Sequence, residues 1–149
     1  MNGRFLYFAY GHNTNDEDFL HRCPHVKKMG KAVAPNFEMV MRNHADLVQK
    51  DGEKAYGVLW AIKSGDEKKL DYDEAFGKNY THDIIEVMFH GRLYKSLTYV
   101  MIPNAEAAMP IDRKYLNVVH MGYKENNIPI EQLHRAVKSR VYKLKLDND

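Results

Sequence analysis

Cysteine is almost absent from this chain of 149 residues: Cys23 stands alone, which excludes an intramolecular disulfide and any multi-cysteine zinc site. A reducing cytoplasm is the expected setting. Long apolar runs are missing as well. The stretch Phe5 to Ala9 is shorter than the ~7 to 15 residues of a signal-peptide core and leads into Tyr10 and Gly11 rather than a small-residue cleavage site, so neither secretion nor entry into a membrane is expected. Of the eight histidines only His21 and His25 stand four apart, and Pro24 between them opposes the continuous helix that would place both on one face. With no His-Glu-x-x-His motif either, no metal site is expected. A Gly-x-Ser-x-Gly elbow and a Gly-x-x-x-x-Gly-Lys phosphate loop are also lacking, and Cys23 lies directly before Pro24 with no evident base.

Nor is there an excess of one charge. The 22 basic and 20 acidic residues leave a formal charge of +2, which argues neither for nor against nucleic acid, and no nucleic-acid partner is expected. One basic cluster, Arg135, Lys138, Arg140, Lys143 and Lys145, reads as the solvated face of a C-terminal helix, with a protein-interaction surface as the alternative. The length suits one domain, here residues 1–149, with room for a sizeable core.

What is present divides into strands first and helices last. Phe5 to Ala9 is apolar on both faces, as a buried strand is, and ends at the turn signal Tyr10-Gly11-His12-Asn13. Thr14 or Asn15 can cap a short helix whose first turn carries Asp16, Glu17 and Asp18 and which closes at Cys23-Pro24. His25 to Val33 and Phe37 to Met41 read as strands on either side of Pro35, and Ala45 to Val48 as a weaker one before an Asp51-Gly52 turn. Ala55 to Ile62 suits a central strand in which Gly57 marks a bulge or a close backbone approach. Ser64 with Glu67 fits a capping box opening a short helix that turns Leu70 inward and delivers Asp71 to Glu74 to its end. Ile84 to Phe89 and Leu97 to Ile102 form a hairpin around Gly91. Helical spacing returns in Asp112 to Val119 and Ile130 to Val141, separated by Gly122 and the run Asn126 to Pro129. The order argues for an α+β fold.

Two places have the makings of a site. The loop Tyr10 to Asn13 lies between a buried strand and a helix whose first backbone N–H groups are unpaired, so several donors can converge on a carboxylate or an oxyanion; an ordinary strand-to-helix turn is the bland alternative. Asp71, Asp73 and Glu74 form a tight acidic group among Leu70, Tyr72, Ala75 and Phe76, where desolvation would raise one carboxylate toward a useful base. A solvated acidic loop is the alternative there. Ten tyrosines are generous for this length, and Tyr80, Tyr99 and Tyr115 each lie in or beside an element from which a hydroxyl can reach a polar substrate.

Four separated blocks together resemble the gamma-glutamylcyclotransferase family and its wider superfamily of gamma-glutamylamine cyclotransferases and plant avirulence-induced-like proteins. Phe5 to Asn13 looks like the family's strand and Tyr-Gly-Ser-Asn loop, Ala55 to Trp60 like its Gly-Val-x-Trp strand, and Leu70 to Glu74 like its Leu-Asp-x-x-Glu segment. Met121 to Pro129 is similar to its late Gly-Ala-Lys-Glu-Asn segment. The resemblance covers nearly the whole chain and implies a small mixed β-barrel flanked by short helices. It implies cyclisation of a gamma-glutamyl group to 5-oxoproline without a cofactor, with Glu74 as general acid/base and release of an amine or amino acid. A catalytically weak relative that binds a small acidic or amide ligand is the alternative. The substrate would be cradled by Tyr7, Phe8, Ala9, Tyr10, Gly11, His12 and Asn13, with further contacts from Tyr80, Tyr99 and Tyr115. A homodimer is plausible on the same ground. Two positions depart from the family pattern: His12 stands where the family has serine, and Ala75 where glycine usually follows the glutamate.

Overall fold

The structure is a computed structural model and describes residues 4–74, 77–103 and 109–147. Ala75 and Phe76 therefore lie outside the described residues. Among those described, five strands and four α-helices follow one another as β1 (Arg4–Ala9), α1 (Asp16–Arg22), β2 (Lys27–Met41), β3 (Ala45–Lys63), α2 (Asp66–Asp73), β4 (Tyr80–Phe89), β5 (Arg92–Met101), α3 (Arg113–Glu125) and α4 (Ile130–Asp147). The strands close a barrel in the order β1-β3-β2-β4-β5. All neighbours are antiparallel except β1 and β5, whose parallel pairing at Tyr7 and Leu97 seals it. The expected α+β class and small mixed barrel are both present.

The barrel is stitched around β3. Its Ala55 to Ile62 run pairs with β1 on one side, Tyr7 opposite Trp60, and with β2 on the other, Val33 opposite Tyr56. A strand apolar on both faces is required there, because Val58, Trp60 and Ile62 on one face and Leu59 and Ala61 on the other are all buried, with Trp60 packed against Phe19 of α1. Gly57 is a close approach, as its context suggested: a Cβ there would run into the Ala9 carbonyl and come within 2.7 Å of the Phe8 ring.

Three expectations are corrected by the backbone. The segments flanking Pro35 belong to one long strand, interrupted where the register slips between Pro35 and Phe37. Pro35 lacks an N–H for the ladder, and Asn36 adopts a left-handed φ of 63°. Opposite it, Asp51 and Gly52 form an outward bulge inside β3, with Gly52 N–H donating to Asn36 Oδ1 at 3.0 Å. Ser64 is not the cap of α2. Gly65 takes that position at a φ of 106°, which favours glycine, and Glu67 Oε2 accepts from its N–H at 2.7 Å. Finally, α3 runs through Gly122 instead of ending near it, because Gly122 is where the helix lies against Thr14 and Asn15.

The β4–β5 turn has His90 at φ 49° and Gly91 at φ 78°, the pair of positive values that a two-residue hairpin of matching twist demands. Phe8, Phe19, Trp60 and Tyr123 are the largest wholly buried side chains, and they connect the barrel interior to α1 and α3. Among the described residues no helix is long and apolar enough to cross a membrane.

Gly122→Ala is a sharp test of this packing. In an open helix the change would stabilise by up to about 1 kcal/mol. Here the new Cβ would run into Thr14 Oγ1 and stand 2.7 Å from the Asn15 nitrogen, so urea unfolding should show a net loss of roughly 1–2 kcal/mol.

Candidate active site

The loop after β1 is a single 3-10 turn, His12–Thr14, and side chains from across the chain hold it in place. Tyr123 Oη donates to the Tyr10 carbonyl at 2.6 Å, Thr14 Oγ1 to that of Gly11 at 2.7 Å and Trp60 Nε1 to that of Asn13 at 2.9 Å. Asn126 Nδ2 donates to the Thr14 carbonyl at 2.7 Å, and the His12 carbonyl accepts from the Asn15 N–H at 3.0 Å. Buried carbonyls demand such partners. The late block ending in Glu125 and Asn126 thus serves this loop from behind.

One expectation about the loop fails. The N-terminus of α1 is closed rather than open: Asn15 Oδ1 accepts from Asp18 N–H at 3.0 Å and Glu125 Oε1 from Asp16 N–H at 2.6 Å. The His12 N–H faces Tyr115 Oη, which also accepts from Ala45 N–H at 3.1 Å. Gly11 is needed under that hydroxyl, since any Cβ would collide with it.

The three acids at the end of α2 take three different partners. Asp71 Oδ1 accepts from the Tyr99 hydroxyl and pairs with His82 Nε2 at 2.6 Å. Asp73 is held by Arg22 at 2.6 Å and Lys69 at 3.0 Å. Glu74, whose N–H caps the helix on the Leu70 carbonyl at 2.9 Å, places Oε1 2.9 Å from His12 Nε2, with its side chain only 11% exposed. Tyr72, expected to help desolvate the group, points outward at 81% exposure.

Around Glu74 the structure gathers Tyr7, Tyr10, Gly11, His12, Asn13, Tyr80, Tyr99 and Tyr115 on one cavity of about 20 Å³, together with Ala45. A second cavity of about 110 Å³ shares Glu74, His12, Tyr80 and Tyr115 with it and adds His44, Asp73 and Asn79. Of the expected residues only Phe8 and Ala9 stay off these walls; both are buried in the core. Ala45 and His44 were not anticipated. Nothing in their local sequence signals a site; the pairing of β2 with β3 brings them there.

A larger cavity, about 660 Å³, lies elsewhere, between β2, β3 and α4, and shares no residue with these two. Part of the basic cluster lines it. Four of the five cations are exposed as expected, but Arg140 is buried and donates to the Met109 carbonyl at 2.8 Å.

The tyrosine hydroxyls are not equivalent. Tyr10 donates to the Tyr99 carbonyl and Tyr80 to the Ala45 carbonyl, both at 2.5 Å, while Tyr99 is committed to Asp71. Tyr7 and Tyr115 are seen as acceptors, Tyr7 from Asn13 Nδ2 at 3.0 Å, and among the described residues their own protons meet no acceptor, which leaves them for a ligand. Burial, and then the nearby Glu74 charge, pushes the ionisation of both above the ordinary range, which keeps them donors at neutral pH. Tyr10 is raised by burial and then by Asp46, and Tyr99 by burial and then by its bond to Asp71.

A small closed barrel bearing a half-buried carboxylate that faces a glycine-containing loop and a ring of tyrosines defines the class. The Gamma-glutamyl cyclotransferase, AIG2-like family matches residues 7–117. Gamma-glutamylcyclotransferase from Mus musculus is 30% identical over 162 residues, covering 97% of this chain and 85% of the mouse protein. Its Homo sapiens counterpart is 30% identical over 142 residues, covering 85% and 74% respectively. A solved structure of a gamma-glutamyl cyclotransferase superposes with a TM-score of 0.78 at 26% identity, covering 89% of this chain and 86% of the other. The chain belongs to the gamma-glutamyl cyclotransferase, AIG2-like family.

Tyr7, Tyr10, Tyr99, Tyr115 and Tyr123 all have folded-state values above the ordinary 10.0. A raised value contributes stability that is complete below pH 10.0 and is lost as pH climbs past it, because the unfolded chain then releases protons the folded one retains. An alkaline titration followed by phenolate absorbance should therefore show these five un-ionised above pH 10.0, appearing together with loss of tertiary structure.

Proposed function

We propose that this protein cyclises a gamma-glutamyl group to 5-oxoproline and releases an amine or amino acid, with Glu74 as general acid and base. The observation that carries the reading is the position of the Glu74 carboxylate, in one cavity with the Tyr10 to Asn13 loop and the Tyr7 and Tyr115 hydroxyls, in a chain of this family.

The chemistry asks for little more. Glu74 takes a proton from the substrate's α-ammonium, and the freed amine attacks the γ-carbonyl carbon of the same molecule. As the ring closes, negative charge gathers on the carbonyl oxygen, where Tyr7 and Tyr115 are suited to donate. Tyr115 is the better prepared of the two, since two backbone N–H groups already polarise its oxygen. Protonated Glu74 then returns its proton to the departing nitrogen as the carbon–nitrogen bond breaks, and the second proton that the ring nitrogen sheds to become the lactam N–H passes to the released amine, which leaves as an ammonium. Protons balance without a metal or nucleotide. Because nucleophile and electrophile belong to one substrate, the protein's work is to hold the folded conformer, a task for which effective molarities are large.

Incubation with a panel of gamma-glutamyl amino acids, amines and peptides should yield 5-oxoproline, followed by mass spectrometry. Folded protein that makes none from any of them would overturn the reading. Glu74→Gln keeps the shape but not the base, and is expected to lower kcat at least roughly a hundredfold while substrate binding, measured by calorimetry, persists.

A further inference from the structure

We infer that His12, the residue standing where the resembling loop has serine, is a positioning residue for Glu74: it holds one carboxylate oxygen so that the other is presented to the substrate. The inference rests on Glu74 acting as the base.

The two side chains meet from elements 62 residues apart in the chain, with Nε2 and Oε1 at 2.9 Å and exposures of 23% for His12 and 11% for Glu74. An ionised carboxylate only accepts, so the nitrogen facing it must carry the hydrogen, whether the ring is neutral or cationic. That fixes Nε2–H as the donor. Among the described hydrogen bonds Oε1 is the oxygen engaged, which leaves Oε2 to take the ammonium proton.

The ring itself is braced. Tyr115 from α3 lies against it at 5.3 Å between centroids, and His44 packs on Tyr115 at 4.3 Å. His44 in turn approaches Asp112 Oδ2 at 3.6 Å. The titratable groups that share cavities with His12 are Glu74 and Asp73 from the end of α2, Tyr115 from α3, His44 from the β2–β3 connection, Tyr80 from β4, Tyr99 from β5, and Tyr7 and Tyr10 from β1 and the loop after it. A serine hydroxyl is shorter than an imidazole and would stop short of Oε1. Glu74 is the C-cap of α2, where the helix ends and its backbone is less constrained than in the interior, so a second anchor on its carboxylate has a specific purpose.

A contact with the base and not with the substrate acts on kcat and leaves KM nearly unchanged. On the best substrate of the panel, His12→Ala should lower kcat roughly tenfold to a hundredfold, the scale of a misplaced reacting group. His12→Gln, whose side-chain N–H can still reach Oε1, should recover most of that loss, and His12→Ala added to Glu74→Gln should cost nothing further. Circular dichroism confirms that each variant is folded. Native kcat in His12→Ala, a loss confined to KM, or a Gln variant no better than Ala would each overturn the inference. A silent His12→Ala beside an inactive Glu74→Gln defeats this inference alone, whereas an active Glu74→Gln defeats the base assignment on which it rests. Independently of turnover, the ¹⁵N spectrum of His12 should show a protonated Nε2; a ring protonated on Nδ1 only would overturn it.

Discussion

The carbonyls of residues 10–14 govern this structure. Five consecutive buried or half-buried acceptors leave the end of β1 and have no strand or long helix to absorb them, so each must find a donor. Trp60 comes from β3, Tyr123 from α3, Asn126 from the C-cap of α3, and Thr14 and Asn15 from the loop itself. These bonds stop the loop from rotating its peptides. They also draw α3 against it closely enough that position 122 has room only for glycine. The barrel, the last two helices and the turn at Gly11 are interdependent for this reason.

With that loop fixed, the site is a matter of sorting polar groups. Seven tyrosine, histidine or asparagine side chains and a glutamate share a confined space, and three of the five tyrosine hydroxyl protons are already committed among the described residues, two to carbonyls and that of Tyr99 to Asp71. Two remain for a ligand. The same economy applies to the acids: Asp73 has both oxygens paired with cations, and Asp71, bonded through Oδ1 to Tyr99 and His82, lines neither cavity, which leaves Glu74 as the acid facing the loop. Burial of all this polarity is tolerated because the partners are in place; a half-satisfied network would be worse than an apolar one.

Some of this was visible in the chain. A run apolar on both faces, Ala55 to Ile62, has one home in a small barrel, and Gly57 within it marked the close approach to β1. Thr14 or Asn15 before three acids announced α1, and Asn15 takes the cap. The failures share a cause. Ser64 lost the cap of α2 to Gly65 because a positive φ, which local composition does not reveal, suited the connection from β3. Gly122 read as a break because an interior glycine weakens a helix, whereas its value lies in a neighbour more than 100 residues away in sequence. The α1 N-terminus looked open because the donor-capping Glu125 is equally remote.

By itself the sequence determined the α+β class, the loop and the acidic segment, since period and turn residues are local properties, while the small barrel was implied by the resemblance of its four blocks to the family. It also carried the tyrosines that would line a cavity. Only the tertiary structure decided which of three neighbouring carboxylates faces that loop, and it assigned each acid its partner by folding α2 under β4 and β5 and against α1. It alone brought His12 onto Glu74. Contacts of that kind depend on chain closure over tens of residues, and on the competition of each polar group for the nearest donor, which no local window records.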